Sequence, residues 1–160
     1  MKFGYKKIMV AISGSDSSIN ASKYAIMMAK TYKLELSAIY VVDTATLKEL
    51  LVSKIFVEDE SIEYEKNLEL NGKRYLDYVE ELAQSKGVKI KKILKHGVIH
   101  SKLLETLDEV KPDLILLGGW EESRNKRDLI HRAHINVLRD AECSVLVIKD
   151  HNLNEIFKRF

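Results

Sequence analysis

Six consecutive small residues, Ser13-Gly14-Ser15-Asp16-Ser17-Ser18, follow an apolar run and stand directly before a helical pattern. Short side chains at a helix N-terminus leave backbone N–H groups open, which suits a phosphate or a nucleotide. The same stretch suits a plain strand-to-helix turn in which Ser, Asp and Gly cap the helix. On this loop alone the capped turn is the better reading. A second stretch with chemistry in it begins at Gly118-Gly119, where Glu121 and Glu122 are followed by Arg124, Lys126, Arg127 and Arg132. These cations could catch an anion or pair with the neighbouring acids. A solvated, salt-bridged loop and helix face is the plainer alternative. Trp120 could lid a cleft, stack on a base or fill a partner contact.

The remaining candidates are weaker. His131 and His134, three apart on a helical pattern, offer one metal edge, and no cysteine or carboxylate pair has the spacing to complete it. His96 and His100 bracket the Gly97 turn and read as surface residues. Cys143 precedes an apolar strand and reads as half-buried and inert. Glu80 and Glu81 are spaced for solvent rather than for acid–base work. No Ser-His-Asp, H-E-x-x-H or Walker pattern is present. No catalytic constellation emerges.

The elements that must position these residues alternate. Short apolar runs at 7–12, 34–42, 88–94, 114–117 and 144–149 read as strands, and 3.6-residue periodicity at 17–32, 62–85, 99–110 and 126–140 reads as helices. A short helix is expected near 47–51. Gly72 weakens the long helix by roughly 1 kcal/mol relative to Ala without having to break it. Gly87 ends that helix. Residues 88–94 alternate polar and apolar, which places them near an edge, whereas Leu114-Ile115-Leu116-Leu117 reads as central. Strands alternating with helices imply an α/β fold, a doubly wound five-stranded parallel sheet with helices on both faces. Ligands of such sheets bind outside the carboxyl ends of the strands. Both chemical stretches fall there.

The 160 residues are 46% hydrophobic and 31% charged, enough for one domain at 1–150 with a tail at 151–160. The 26 basic and 24 acidic side chains nearly cancel, so bulk charge gives no reason to expect nucleic acid or a membrane as partner. A single cysteine excludes a disulfide scaffold, and no apolar run reaches the roughly 18 residues of a membrane span. The expected location is cytoplasmic.

Two family resemblances follow from these residues. Ser13-Gly14-Ser15-Asp16-Ser17 resembles the "SGGxDS" loop of pyrophosphate-loop adenylating enzymes, one residue short and lacking the second glycine. A fuller resemblance, to the universal stress protein family, covers nearly the whole chain. It is carried by Ile8-Met9-Val10-Ala11-Ile12-Ser13-Gly14-Ser15, Tyr40-Val41-Val42-Asp43, the run from Gly97 to Asp113-Leu114-Ile115-Leu116-Leu117-Gly118, Asn136-Val137-Leu138, and Ser144 to Lys149. That resemblance implies a Rossmann-like, adenine nucleotide α-hydrolase-like fold and a homodimer joined through its last strands, Ser144 to Lys149. An apolar edge strand there needs covering, which gives this expectation physical support. The ATP-binding members carry G-x2-G-x9-G-[ST] after the fourth strand. Here Gly118 keeps the first position, while Glu121, His131 and Arg132 replace the other glycines and the hydroxyl. The acid that members place near adenine is Ser13, and Val41 keeps the apolar position beside the base. The nucleotide-site residues implied are therefore Ala11, Ser13, Val41, Gly118 and Arg132. An unpaired carboxylate ~4 Å from a phosphate charge costs roughly 4 kcal/mol at an effective dielectric of 20. The expectation is a regulatory or protective protein acting through an unidentified protein partner, with the family's ATP mode lost and no cofactor in that mode. The alternatives are a nucleotide switch holding ATP or AMP through the basic residues, and an adenylating enzyme.

Overall fold

The computed structural model describes residues 4–119 and 129–160. Five strands run in the order β3-β2-β1-β4-β5, every pair parallel. They are β1 (Lys7–Ile12), β2 (Glu35–Asp43), β3 (Ile90–Gly97), β4 (Leu114–Gly118) and β5 (Ser144–Ile148). The connecting helices are α1 (Asp16–Tyr32), α2 (Thr44–Val52), α3 (Glu58–Ser85), α4 (Ile99–Val110) and α5 (Leu129–Asp140), with α6 (Leu153–Arg159) closing the chain. The chain winds outward from β1 to β3, crosses back over β1, and winds the other way to β5. Right-handed crossovers must then change face where the direction changes. The packing agrees: α1, α3 and α6 cover one face, and α4 and α5 the other.

Side-chain alternation builds both layers from the same strands. Ile8, Val10 and Ile12 of β1 enter the α1/α3 core, while Met9 and Ala11 enter the α4/α5 core. Leu114 and Leu116 of β4 do the same against Ile115 and Leu117. The middle strand is β1, so the "LILL" run of β4 is interior but one place from centre. The polar β3 lies at the edge, as its alternation predicts.

Local chemistry sets the element ends. Ser15 caps α1, its Oγ accepting from the Ser18 N–H at 3.2 Å. Asp43 caps α2 through Thr46 N–H and Thr46 Oγ1, at 3.1 and 2.6 Å. Gly87 has φ +73°, the left-handed position expected past the end of α3. Gly72 has a packing role that propensity hides: a Cβ there would lie 2.6 Å from Tyr40 Cδ1. The Tyr40 ring stacks on Tyr75, with centroids 6.2 Å apart. The terminal residues form a helix whose Leu153 and Phe157 are buried in the α1/α3 core. No helix of the described residues is long and apolar enough to cross a membrane.

One polar clamp ties β1 to the entry of β4. The Lys6 and Lys7 N–H groups donate to Asp113 Oδ2 at 2.7 and 2.9 Å, and the Asp113 N–H donates to the Lys7 carbonyl at 2.8 Å. Those two backbone donors hold the Asp113 carboxyl below the usual carboxylate range. The clamp is at full strength above the ordinary carboxylate pKa and is lost as pH falls through the depressed folded value. Asp113→Asn is therefore expected to lower the urea midpoint at pH 7, with the gap to wild type narrowing as the pH falls below the ordinary carboxylate pKa. A gap of constant size across that range in pH-resolved urea titrations would contradict the assignment.

Candidate functional site

At the carboxyl ends of β1 and β2, on the α4/α5 face, lies a cavity of about 320 Å³. Ala11, Ile12 and Ser13 form its β1 side, and Tyr40, Val41, Val42 and Asp43 its β2 side. Leu68 of α3, Ile99 and Leu103 of α4, and Ile130 and His134 of α5 close it. Most of this wall is apolar, with Ser13, Tyr40, Asp43 and His134 as the residues that carry a polar group. Burial and the nearby Tyr75 and Tyr64 phenols raise the pKa of Tyr40, so its hydroxyl stays neutral at ordinary pH.

Three of the five sequence-predicted residues, Ala11, Ser13 and Val41, meet in this cavity. Arg132 does not line it. Arg132 lines an adjoining cleft of about 260 Å³ with Glu49, His100 and Asn136, which shares Asp43 and Ile99 with the first cavity. The phase of α5 explains the split. Ile130 and His134, four apart, share the cavity face, and Arg132 lies two residues, about 200°, from Ile130.

Gly118 serves neither space. A Cβ on it would lie 2.7 Å from the Ser17 carbonyl carbon, so its bare backbone lets β4 press against the first turn of α1. Gly119 makes a similar approach to β5: its N–H donates to the Ile148 carbonyl at 2.6 Å, and a Cβ would lie 2.7 Å from that oxygen. Gly14, at φ +82°, leaves room for the Tyr75 ring, 2.7 Å from the position of a Cβ.

The hydroxyls of the opening loop turn inward. Ser13, Ser15 and Ser17 form a chain of hydrogen bonds at 2.9 and 3.0 Å, and the Ser18 hydroxyl donates to the Ser15 carbonyl at 2.9 Å. The loop is thus a capped turn whose first residue, Ser13, also lines the cavity.

Trp120, Glu121, Glu122, Arg124, Lys126 and Arg127 lie outside the described residues. His131 does not line the cavity that His134 lines, and among the described residues no group of three or more His, Cys, Asp or Glu side chains could hold a metal ion. His96 is exposed, with Nε2 3.5 Å from Glu69 Oε1. Cys143 is half-buried, and burial pushes its thiol pKa up, away from the reactive thiolate.

Residues 4–149 match the family model described as the universal stress protein family. The chain belongs to the universal stress protein family. The curated relative MJ0531 of Methanocaldococcus jannaschii, a universal stress protein, is 33% identical over 152 residues, a match spanning 91% of this chain and 82% of that protein. Among solved structures, universal stress protein UspA from Lactobacillus plantarum superposes with a TM-score of 0.74 at 20% identity, covering 91% of this chain and 98% of that one. A family protein from Arabidopsis thaliana solved with AMP bound gives a TM-score of 0.66 at 17% identity, covering 92% and 93%. At those identities the likeness is one of fold.

Within this universal stress protein, sequence reasoning missed Leu68, Ile99, Leu103, Ile130 and His134 as cavity residues. The signal for the last two was available, because Ile130, His134 and Val137 recur on one helical face. The contact at Gly118 makes a stability prediction independent of any ligand. Gly118→Ala should cost about 1–3 kcal/mol by overpacking, and adding Ser17→Ala should not restore it, because the obstructing atoms include Ser17 backbone. Urea denaturation of the ligand-free protein checks both statements.

Proposed function

We propose that this universal stress protein is a regulatory module, without catalytic turnover, that takes the base and sugar of an adenine mononucleotide in the β1–β2 cavity. The observation that carries the reading is the meeting of Ala11, Ser13 and Val41 in one largely apolar pocket. Its volume of about 320 Å³ sits at the small end of the roughly 300–1,000 Å³ typical of ligand sites. A base and sugar suit that space; a triphosphate would need the glycine-lined loop of which only Gly118 remains. AMP in the Arabidopsis relative supports the ligand class. Arg132, in the neighbouring cleft across the Asp43–Ile99 wall, is the group we assign to the single phosphate.

The inward hydrogen bonds of Ser13, Ser15 and Ser17 weigh against an adenylating enzyme, since those hydroxyls are already engaged. A homodimer through β5 is part of the same reading. That strand is an edge of the sheet, and its Val145, Leu146 and Val147 are only half-buried in a single copy. Output passes to a protein partner, and the setting is cytoplasmic.

Isothermal titration of nucleotide-stripped protein tests the ligand. AMP should bind with a dissociation constant in the micromolar range, and ATP no more than about tenfold tighter. Arg132→Ala should weaken AMP about tenfold or more through loss of a charge-assisted hydrogen bond, leaving adenosine unchanged. Val41→Phe, which fills the cavity, should abolish both. Absence of binding up to millimolar nucleotide would sink the reading, and a strong preference for ATP would transfer recognition to a triphosphate.

A further inference from the structure

The opposite end of the sheet, at the amino ends of the strands, carries two clefts of similar size and contrary charge. The cleft at the base of β2 and β3 measures about 570 Å³ and is lined by Lys30, Lys33, Lys89 and Lys91, with Glu35 its lone acid. The cleft at the base of β4 and β5 measures about 680 Å³ and is lined by Asp108, Asp113, Asp140 and Glu142, with Lys111 its lone base. Strand spacing of about 4.8 Å separates the two outer strands by about 19 Å, with the base of β1 between them.

Local helix energetics account for only one of these clefts. Lys30 and Lys33 stand at the carboxyl end of α1, where cations complement the helix dipole. The acids do the reverse. Asp108 occupies the last turn of α4, which has no basic residue, and Asp140 ends α5. Asp140 is offset by its neighbour Arg139, at 2.8 and 2.9 Å, and Asp113 by the clamp on β1. Asp108 and Glu142 have no ion pair among the described residues, and both are exposed. Lys33, Lys89 and Lys91 are likewise exposed with no ion pair among the described residues. The base therefore presents net positive charge on one half and net negative charge on the other, with Lys6 and Lys7 beside Asp113 between them.

We infer that this bipolar base is a self-association surface and that its partner is a second copy of this chain. A two-fold axis through the base of β1, perpendicular to the strands and to the line joining the two clefts, carries the β2/β3 cleft of one copy over the β4/β5 cleft of the other. Lys89 and Lys91 then face Asp108 and Glu142 twice over, in an isologous contact that closes at two copies. The contact leaves the carboxyl-end cavity and the β5 edge free. Exposed ion pairs contribute little singly, so the association is weak, and screening governs it.

Sedimentation velocity over a concentration series tests this. From about 0.1 M to about 1 M salt the screening length falls from about 10 to about 3 Å, and the dissociation constant of the base contact should rise at least about tenfold. Lys89→Glu with Lys91→Glu should abolish the contact, as should Asp108→Lys with Glu142→Lys. The chain carrying all four changes should regain it, because the face is again self-complementary; this rescue separates charge pairing from damage to the fold. Zero-length carbodiimide coupling of mixed light and heavy protein should join Lys89 or Lys91 of one copy to Asp108 or Glu142 of another. An association constant that is the same for wild type, both reversals and both salt conditions would overturn the inference. So would retention on immobilised heparin, lost in the lysine reversals, with no change in mass; that result would assign the basic cleft to a polyanion.

Discussion

The central strand β1 must satisfy a hydrogen-bonding ladder on both edges while both its faces are covered. Met9 and Val10 are fully buried, Ile8 nearly so, and all three register against β2 on one side and β4 on the other. A backbone in that position has no recourse to water, so any unpaired group would cost free energy comparable to a lost hydrogen bond. The winding order answers this demand, since β2 and β4 must flank β1 and their crossovers must lie on opposite faces. The Asp113 clamp extends the same solution beyond the last ladder pair, where the Lys6 and Lys7 amides would otherwise have only solvent.

From that constraint the site follows at one end and the charged base at the other. Reversal of winding direction leaves the carboxyl ends of the strands unroofed by crossovers, and the β1–β2 cavity occupies that space. The two glycines at the carboxyl end of β4 are used for close packing, Gly118 on α1 and Gly119 on β5. A Cβ at either position would meet backbone, which cannot rotate out of the way.

Much of this was legible in the sequence. The contrast between the mixed 88–94 segment and the unbroken apolar run at 114–117 placed one at the edge and the other inside the sheet, because burial on two faces removes alternation. Cap chemistry at Ser15 and Gly87 could be read residue by residue, since those contacts are local. Three things were not legible. Gly72 looked like a weak spot in a helix, because its reason lies in Tyr40, far away in the chain. That Arg132 lines a cleft beside the cavity rather than the cavity itself could not be read, because motif spacing counts positions along the chain, whereas the direction of a side chain depends on helical phase. The charged clefts at the base escaped notice because net charge sums over lysines and acids that the fold sorts to opposite sides.

The helix α6 has a consequence for the order in which the protein can be built. Leu153 and Phe157 fill the core against α1, which leaves the ribosome well over a hundred residues before them. Strand β1 likewise waits for β4, more than a hundred residues later, before its second edge is paired. A nascent chain therefore cannot complete the α1/α3 layer until α6 has emerged, nor the α4/α5 layer until α5 has. Until then it carries an apolar strand and helix face that a holding chaperone would find accessible.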